Sequence, residues 1–239
     1  MKSNAPKFSA EQHVETYKET CSRFSQRISE LSSQELLLQI QSCPDWNIHD
    51  LLSHVTGLCV AISQGDSPPA DTQNWVDQQV ISRRPHASAQ VVEEWQHSLE
   101  AFSAVAVSDM RLAMPLTYDL LVHEFDLLHA VKKTAVLNND DALLLAMNVA
   151  ALILDGDIAK ADVGSLLLVA NQHEWQCGSG EIIATLDLST LDNPIFELIR
   201  LTGSRRSYKQ LLAYPWQGDF ERLLPMLSHM ELPLTDIVE

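Results

Sequence analysis

Basic residues are scarce in this 239-residue chain. Only 16 Lys and Arg stand against 32 Asp and Glu, a formal net charge of −16. Such a surface repels phosphate backbones and anionic lipid, so nucleic acid and membranes are not expected partners. Cysteine is sparse too. Cys21, Cys43, Cys59 and Cys177 form no CxxC pair, which argues against a thiolate metal cluster or a disulfide scaffold. Met1 to Lys7 lack the apolar stretch of a signal peptide. The longest near-apolar run, Ala142 to Leu154, is interrupted by Asn148 and is too short to span a bilayer. No G-x-S-x-G, Walker or dinucleotide-binding motif is present. What is there is a chain with 46% apolar and 20% charged residues, enough to build a core. A cytoplasmic protein of one large or two small domains, acting on a small molecule, is the expectation, with a homodimer as the assembly to be tested.

The first 160 residues read as helices. Ser9 has the position of a cap with Gln12 three residues on, and Val14, Tyr17, Cys21, Phe24, Ile28 and Leu31 then recur at steps of three and four. A short helix is expected from Ser33 to about Gln41. Asn47 can cap the next helix, with Asp50 three residues on and Trp46 placed to pack on Leu51. That helix runs to about Ser63, before a loop at Gly65 to Pro69. Weak helical patterning covers about Asp71 to Ser82, and strong patterning covers Val91 to Val105. Pro115 is expected to open a helix reaching about Lys132, and a further apolar helix fills about Asp140 to Lys160. The connections suit an antiparallel four-helix bundle over residues 1–160.

The pattern changes near Ala161. Ser165–Ala170, Glu174–Cys177 and Ile182–Leu188 read as strands. Helices are expected at about Asn193 to Thr202, with Gly203 as C-cap, at Ser207 to Tyr214, and at about Phe220 to Met230, with a turn at Trp216 to Asp219. Residues 161–239 are thus expected to form a small α+β domain.

Asp119 and His123 are four residues apart, so they share one helix face, and the apolar residues around them point that face inward. His54 lies mid-helix among Leu51 and Leu58. Two imidazoles and one carboxylate from two helices suit zinc, and also iron(II), nickel or manganese, with a coordination position left open. The same spacing equally fits a hydrogen-bonded core histidine beside a local Asp–His pair. Asp126 stands where it can orient the His123 ring, or can be a solvated charge. His49, Glu124 and His129 are alternative ligands should the helix faces be rotated. Arg205 and Arg206 can bind an anionic group or remain solvated.

The stretch Cys43-Pro44-Asp45-Trp46-Asn47-Ile48-His49-Asp50-Leu51-Leu52-Ser53-His54 resembles the C-P-x-W-S/T-x-x-D-L-x-x-H opening of the mycothiol-dependent maleylpyruvate isomerase family, within the DinB-like metal-binding helical-bundle superfamily. Asp119 to Asp126 is similar to that family's E-x-x-x-H-x-x-D segment. Glu174-Trp175, Gly178 to Glu181, Thr202 to Ser207 and Trp216 to Asp219 resemble its C-terminal domain. The resemblance implies a DinB-like bundle in which His54, Asp119 and His123 bind a divalent metal, usually taken as zinc. It also implies a low-molecular-weight thiol cofactor, mycothiol or an equivalent, and an isomerase or transferase acting on a small electrophile. Asp119 departs from the family's Glu by one methylene, and Ser204 appears as an extra residue before Arg205. The competing expectation is a non-catalytic protein that binds a metal or a small ligand, with a sterol-carrier-like tail.

Overall fold

The computed structural model describes residues 1–66, 68–69, 71–133, 140–228 and 230–239. Ser67, in the loop expected at 65–69, and His229, in the last expected helix, lie outside the described residues. The chain forms two compact units. One is Phe8–Val136; the other joins Met1–Lys7 to Leu137–Glu239. A boundary expected after residue 160 therefore falls near residue 137.

A short strand, β1 (Lys2–Ser3), opens the chain and belongs to the second unit. The first unit begins with α1 (Ala10–Ser29), capped as expected by the reciprocal Ser9–Gln12 pair. Where a helix was expected to reach Gln41, a single 3-10 turn, Glu35–Leu37, gives way to a hairpin of β2 (Gln39–Ile40) and β3 (Cys43–Asn47). Pro44 lacks an amide proton and biases its neighbour to extended backbone, which suits a strand here. The chain then passes through α2 (Ile48–Ser63), α3 (Thr72–Arg83), α4 (Ser88–Ser108) and α5 (Met110–Ala130). Helix α5 starts five residues before the expected Pro115. Asp109 caps it by accepting from the Arg111 amide at 3.1 Å, and Pro115 sits on its exposed side.

Helices α1, α2, α4 and α5 pack on one another, and α3 lies against α2. Their core holds an aromatic cluster. Tyr17 and Phe102 have ring centroids 4.3 Å apart, Phe24 meets Trp95 edge-on at 5.6 Å, and all four residues are at most 1% exposed. The indole N–H of this cluster is satisfied, since Trp95 Nε1 donates to the Tyr17 hydroxyl at 3.1 Å. Gly57 lets α3 come close: a Cβ there would stand 2.5 Å from Gln79 Cβ.

The second unit is α6 (Asp140–Ala161) with a five-stranded sheet and two helices. Strands β4 (Ser165–Ala170), β5 (His173–Gly178) and β6 (Ile182–Asp187) are followed by α7 (Pro194–Thr202), α8 (Tyr208–Ala213) and β7 (Trp216–Gly218). The order is β1-β5-β4-β6-β7, with only the β4–β6 pair parallel. The expected turn at Trp216 is thus an edge strand. The helix expected over Phe220 to Met230 is reduced to a 3-10 turn, Leu224–Met226. Helix α6 belongs here because β5 holds it. Trp175 Nε1 donates to Asn148 Oδ1 at 2.7 Å, and Asn148 Nδ2 donates to the Pro6 carbonyl at 2.7 Å. Asn148, which interrupts the apolar run, is therefore the polar anchor of the helix. Among the described residues, Asp141–Ala161 is the helix long and apolar enough to cross a membrane, and 61% of that window is buried inside the protein. The run noted in the sequence is thus part of a longer apolar helix.

A buried ion network closes this unit. Arg206 clasps Glu197 with two bonds of 2.6 and 2.7 Å and reaches Glu239 at 3.0 Å. Arg200, wholly buried, also binds Glu239. Tyr214 donates to Glu197. Burial would raise the Glu197 carboxyl, but Arg206 outweighs it and holds the group below its ordinary value of 4.5. A carboxylate lowered in the folded state stabilises the fold above the ordinary value, and loses that contribution as pH falls through the folded one. Glu197→Gln should therefore cost about 1.5–3 kcal/mol near neutral pH, by removing one of the two carboxylates that the buried Arg206 binds. Its deficit relative to wild type should shrink in thermal melts taken from about pH 7 down to about pH 3.

Candidate metal centre

The hairpin β2–β3 leads directly into α2, and the junction is built by sequence-local chemistry. Asn47 accepts from the Asp50 amide at 2.9 Å, and the Asp50 carboxylate accepts in return from the Asn47 amide at 3.3 Å. Asp50 is also held by Arg84 at 2.8 Å. It is thus the expected cap partner. This cap fixes where α2 begins, and His54 follows two turns later, 5% exposed, on the face that meets α5. From α5 come Asp119 and His123, one turn apart.

These three side chains converge. One nitrogen or oxygen from each lies within 4.8 Å of the other two. His54 Nε2 is 3.3 Å from Asp119 Oδ2, and His123 Nε2 is 3.5 Å from Asp119 Oδ1. The two imidazoles meet edge to face with centroids 5.0 Å apart. The carboxylate thus offers a different oxygen to each histidine. Burial would raise the Asp119 carboxyl, but the His123 and His54 imidazoles facing it outweigh that and hold it well below the usual carboxylate range. It remains an anion, the form that a metal needs.

Behind this group, His123 Nδ1 is 2.9 Å from Asp126 Oδ2, and the Asp126 side chain has no accessible surface. A carboxylate only accepts, so Nδ1 carries a proton, and in the neutral ring Nε2, on the Asp119 side, is the atom left to bind a metal. Of the two roles open to Asp126 from the sequence, orientation is the one the structure supports. The donor set also passes a spacing test. Two donors bound about 2.0–2.1 Å from a tetrahedral ion lie about 3.4 Å apart. The 3.3 and 3.5 Å separations have that size and exceed an ordinary N–H···O hydrogen bond. The residues therefore fit a divalent ion held by two imidazoles and a carboxylate.

The alternative ligands are engaged elsewhere. His49 meets Ser88 and the Arg83 carbonyl, Glu124 is clasped by Arg23 through two bonds of 2.7 Å, and His129 meets Gln41. Arg206 is committed to Glu197, and Arg205 donates to the Gly203 carbonyl. Both arginines are buried, so neither is a solvated anion site.

Two neighbours escaped the sequence reading. Trp46 lays its ring against His54 at 4.8 Å and His123 at 6.1 Å between centroids. Cys43 brings its sulfur within 4.8 Å of donor atoms of His123 and Asp126. The other cysteines are buried, and burial pushes each of their thiols up to about 12. The four cysteines form no disulfide. The signal for both neighbours was the hairpin, because a strand feeding the cap carries Cys43 and Trp46 back toward α5.

Removing Asp126 should unsettle the His123 ring without touching a donor atom. Asp126→Ala is expected to weaken zinc binding about 10–100-fold in a competition titration, while His54→Ala abolishes it.

Residues 17–111 match the family model described as the mycothiol maleylpyruvate isomerase N-terminal domain. That span contains His54 and ends before Asp119. A crystal structure of a histidine-to-alanine mutant of the mycothiol-dependent maleylpyruvate isomerase is similar, with a TM-score of 0.54 at 14% identity, covering 83% of this chain and 90% of that one. A crystal structure of the mycothiol-dependent maleylpyruvate isomerase without that mutation gives 0.52 at 15% identity with the same coverage. These likenesses show a shared fold, the DinB-like helical region followed by a small sheet domain. No curated protein matches the chain. Over residues 17–111, within its helical unit, the chain is similar to the mycothiol maleylpyruvate isomerase N-terminal domain family.

Proposed function

We propose that this chain is a metal- and thiol-dependent enzyme of the isomerase type, acting on a small electrophilic substrate. The observation that carries this reading is the convergence of His54, Asp119 and His123, with the His123 tautomer held by Asp126. Zinc is the proposed metal from the donor set. Mycothiol is the proposed thiol, because the two similar crystal structures are of a mycothiol-dependent enzyme. A divalent ion held here lowers the pKa of a low-molecular-weight thiol, supplying a thiolate near neutral pH for reversible addition to a conjugated double bond.

The residues divide the remaining work. His54 and His123 are neutral donors, and Asp119 brings one negative charge, so the site keeps one positive charge with which to draw an anionic sulfur. Three protein donors leave a position open, the feature that separates catalytic from structural zinc sites. Trp46 lies beside both imidazoles and adds an apolar wall to the site. Asp126 holds His123 so that its Nε2 cannot turn away.

Protein isolated without a His tag should contain about one divalent ion per chain, and cis–trans isomerisation of maleylpyruvate should require added thiol. His54→Ala and Asp119→Ala should each lose the ion and lower the rate at least about 100-fold. Equal turnover by wild type and His54→Ala, with metal well below one per chain in both, would rule the proposal out.

A further inference from the structure

A second group of possible ligands shares one residue with the metal centre. Cys43, His123 and Asp126 each bring one donor atom to within 4.8 Å of the other two. This group and the first have only His123 in common. The imidazole offers two nitrogens. Its Nε2 lies 3.5 Å from Asp119 Oδ1, and its Nδ1 lies 2.9 Å from Asp126 Oδ2. Cys43 and Asp126 thus gather at the nitrogen that the first centre does not use.

The hairpin puts the thiol there. Cys43 pairs with Ile40 across β2–β3, and β2 packs on α5. Ile40 is 1% exposed, which pins this hairpin to the core. Pro44 then restricts the backbone just after the thiol. Cys43 is half-buried, whereas Cys21, Cys59 and Cys177 are buried, so an ion arriving from solvent can reach this sulfur. The Asp126 side chain has no accessible surface. A carboxylate so placed requires a proton donor or a cation beside it. The Nδ1 proton meets that need, and a metal ion in its place would meet it too. Bound donors stand about 3.4 Å apart around a tetrahedral ion, so Nδ1 and Oδ2 would part by about half an ångström from their 2.9 Å contact.

We propose that Cys43, His123 Nδ1 and Asp126 form a second cation site, for soft, thiophilic divalent ions, sharing the His123 ring with the first centre. The entering ion bonds to Cys43 Sγ, His123 Nδ1 and Asp126 Oδ2. The thiol proton leaves to solvent. The Nδ1 proton leaves to solvent where the first centre is filled, and moves to Nε2 where it is empty. With both centres filled, two divalent ions meet two carboxylates, a thiolate and an imidazolate, and these charges cancel. Sulfur sets the selectivity. The two displaced protons oppose binding, and the softer the ion, the more its bond to thiolate offsets them. The first centre offers only nitrogen and oxygen and suits zinc, so the two sites favour different ions. The second does not depend on the enzymatic reading of the first.

The test is titration of the whole chain with cadmium, following the sulfur-to-cadmium charge-transfer band in the ultraviolet. Cadmium at the first centre meets no sulfur and adds nothing to this band. The band should grow and saturate in wild type and equally in His54→Ala, which empties the first centre and so separates the two readings. Cys43→Ser, with a melting temperature close to wild type, should lose it. Asp126→Asn should move the midpoint to higher cadmium. Absence of the band in folded wild-type protein overturns the proposal whatever the variants do. A band that persists in Cys43→Ser overturns it by placing cadmium on another cysteine. A band lost in folded His54→Ala overturns it by making Cys43 a ligand of the first centre.

Discussion

A half-buried carboxylate set between two buried imidazoles where α2 meets α5 is the constraint on which the helical unit turns. Leu51, Leu52, Leu120 and Leu121 are almost wholly buried beside the polar trio, so the helices bring a charge into a region that disfavours it. The cost is met because each oxygen of Asp119 faces an imidazole nitrogen. The α2–α5 contact therefore joins polar groups as well as apolar ones, whereas the Tyr17, Phe24, Trp95 and Phe102 cluster across α1 and α4 is wholly core.

Much of this was legible because the informative signals are local. The Ser9 and Asn47 caps, the four-residue step from Asp119 to His123, and the three-residue step from His123 to Asp126 are all set by helix geometry, which a sequence displays directly. The errors fall where partners distant in sequence decide. The hairpin at 39–47 is too short to show alternation, and the pairing of Lys2 and Ser3 with Trp175 and Gln176 has no local signature. Helix α6 was assigned to the bundle on continuity of pattern, yet its place is set by Asn148 bonding to Trp175 and Pro6. Trp46 was expected to pack on Leu51; its approach to His54 and His123 depends on the hairpin that the sequence hid.

The two arginines near the end of the chain illustrate the opposite risk. Exposed, they would have made an anion site; buried, they are structural cations, each requiring its own acceptor. Glu197 and Glu239 accept from Arg206, and the Gly203 carbonyl accepts from Arg205. Since Glu239 serves both Arg200 and Arg206, this last acidic residue is integral to the core of its unit.

The cap at Asn47 has a consequence for how the metal centre tolerates change. Seven residues separate Asn47 from His54, and seven residues make nearly two whole helical turns. The rotational phase of His54 is therefore referenced to the start of α2, where Asn47 and Asp50 lock it. Point substitutions between them leave that phase intact. Loss or gain of one residue shifts it by about 100°, swinging the imidazole off α5 while the helix itself survives. The interval from 47 to 54 behaves as a ruler, open to changes of spelling and closed to changes of length.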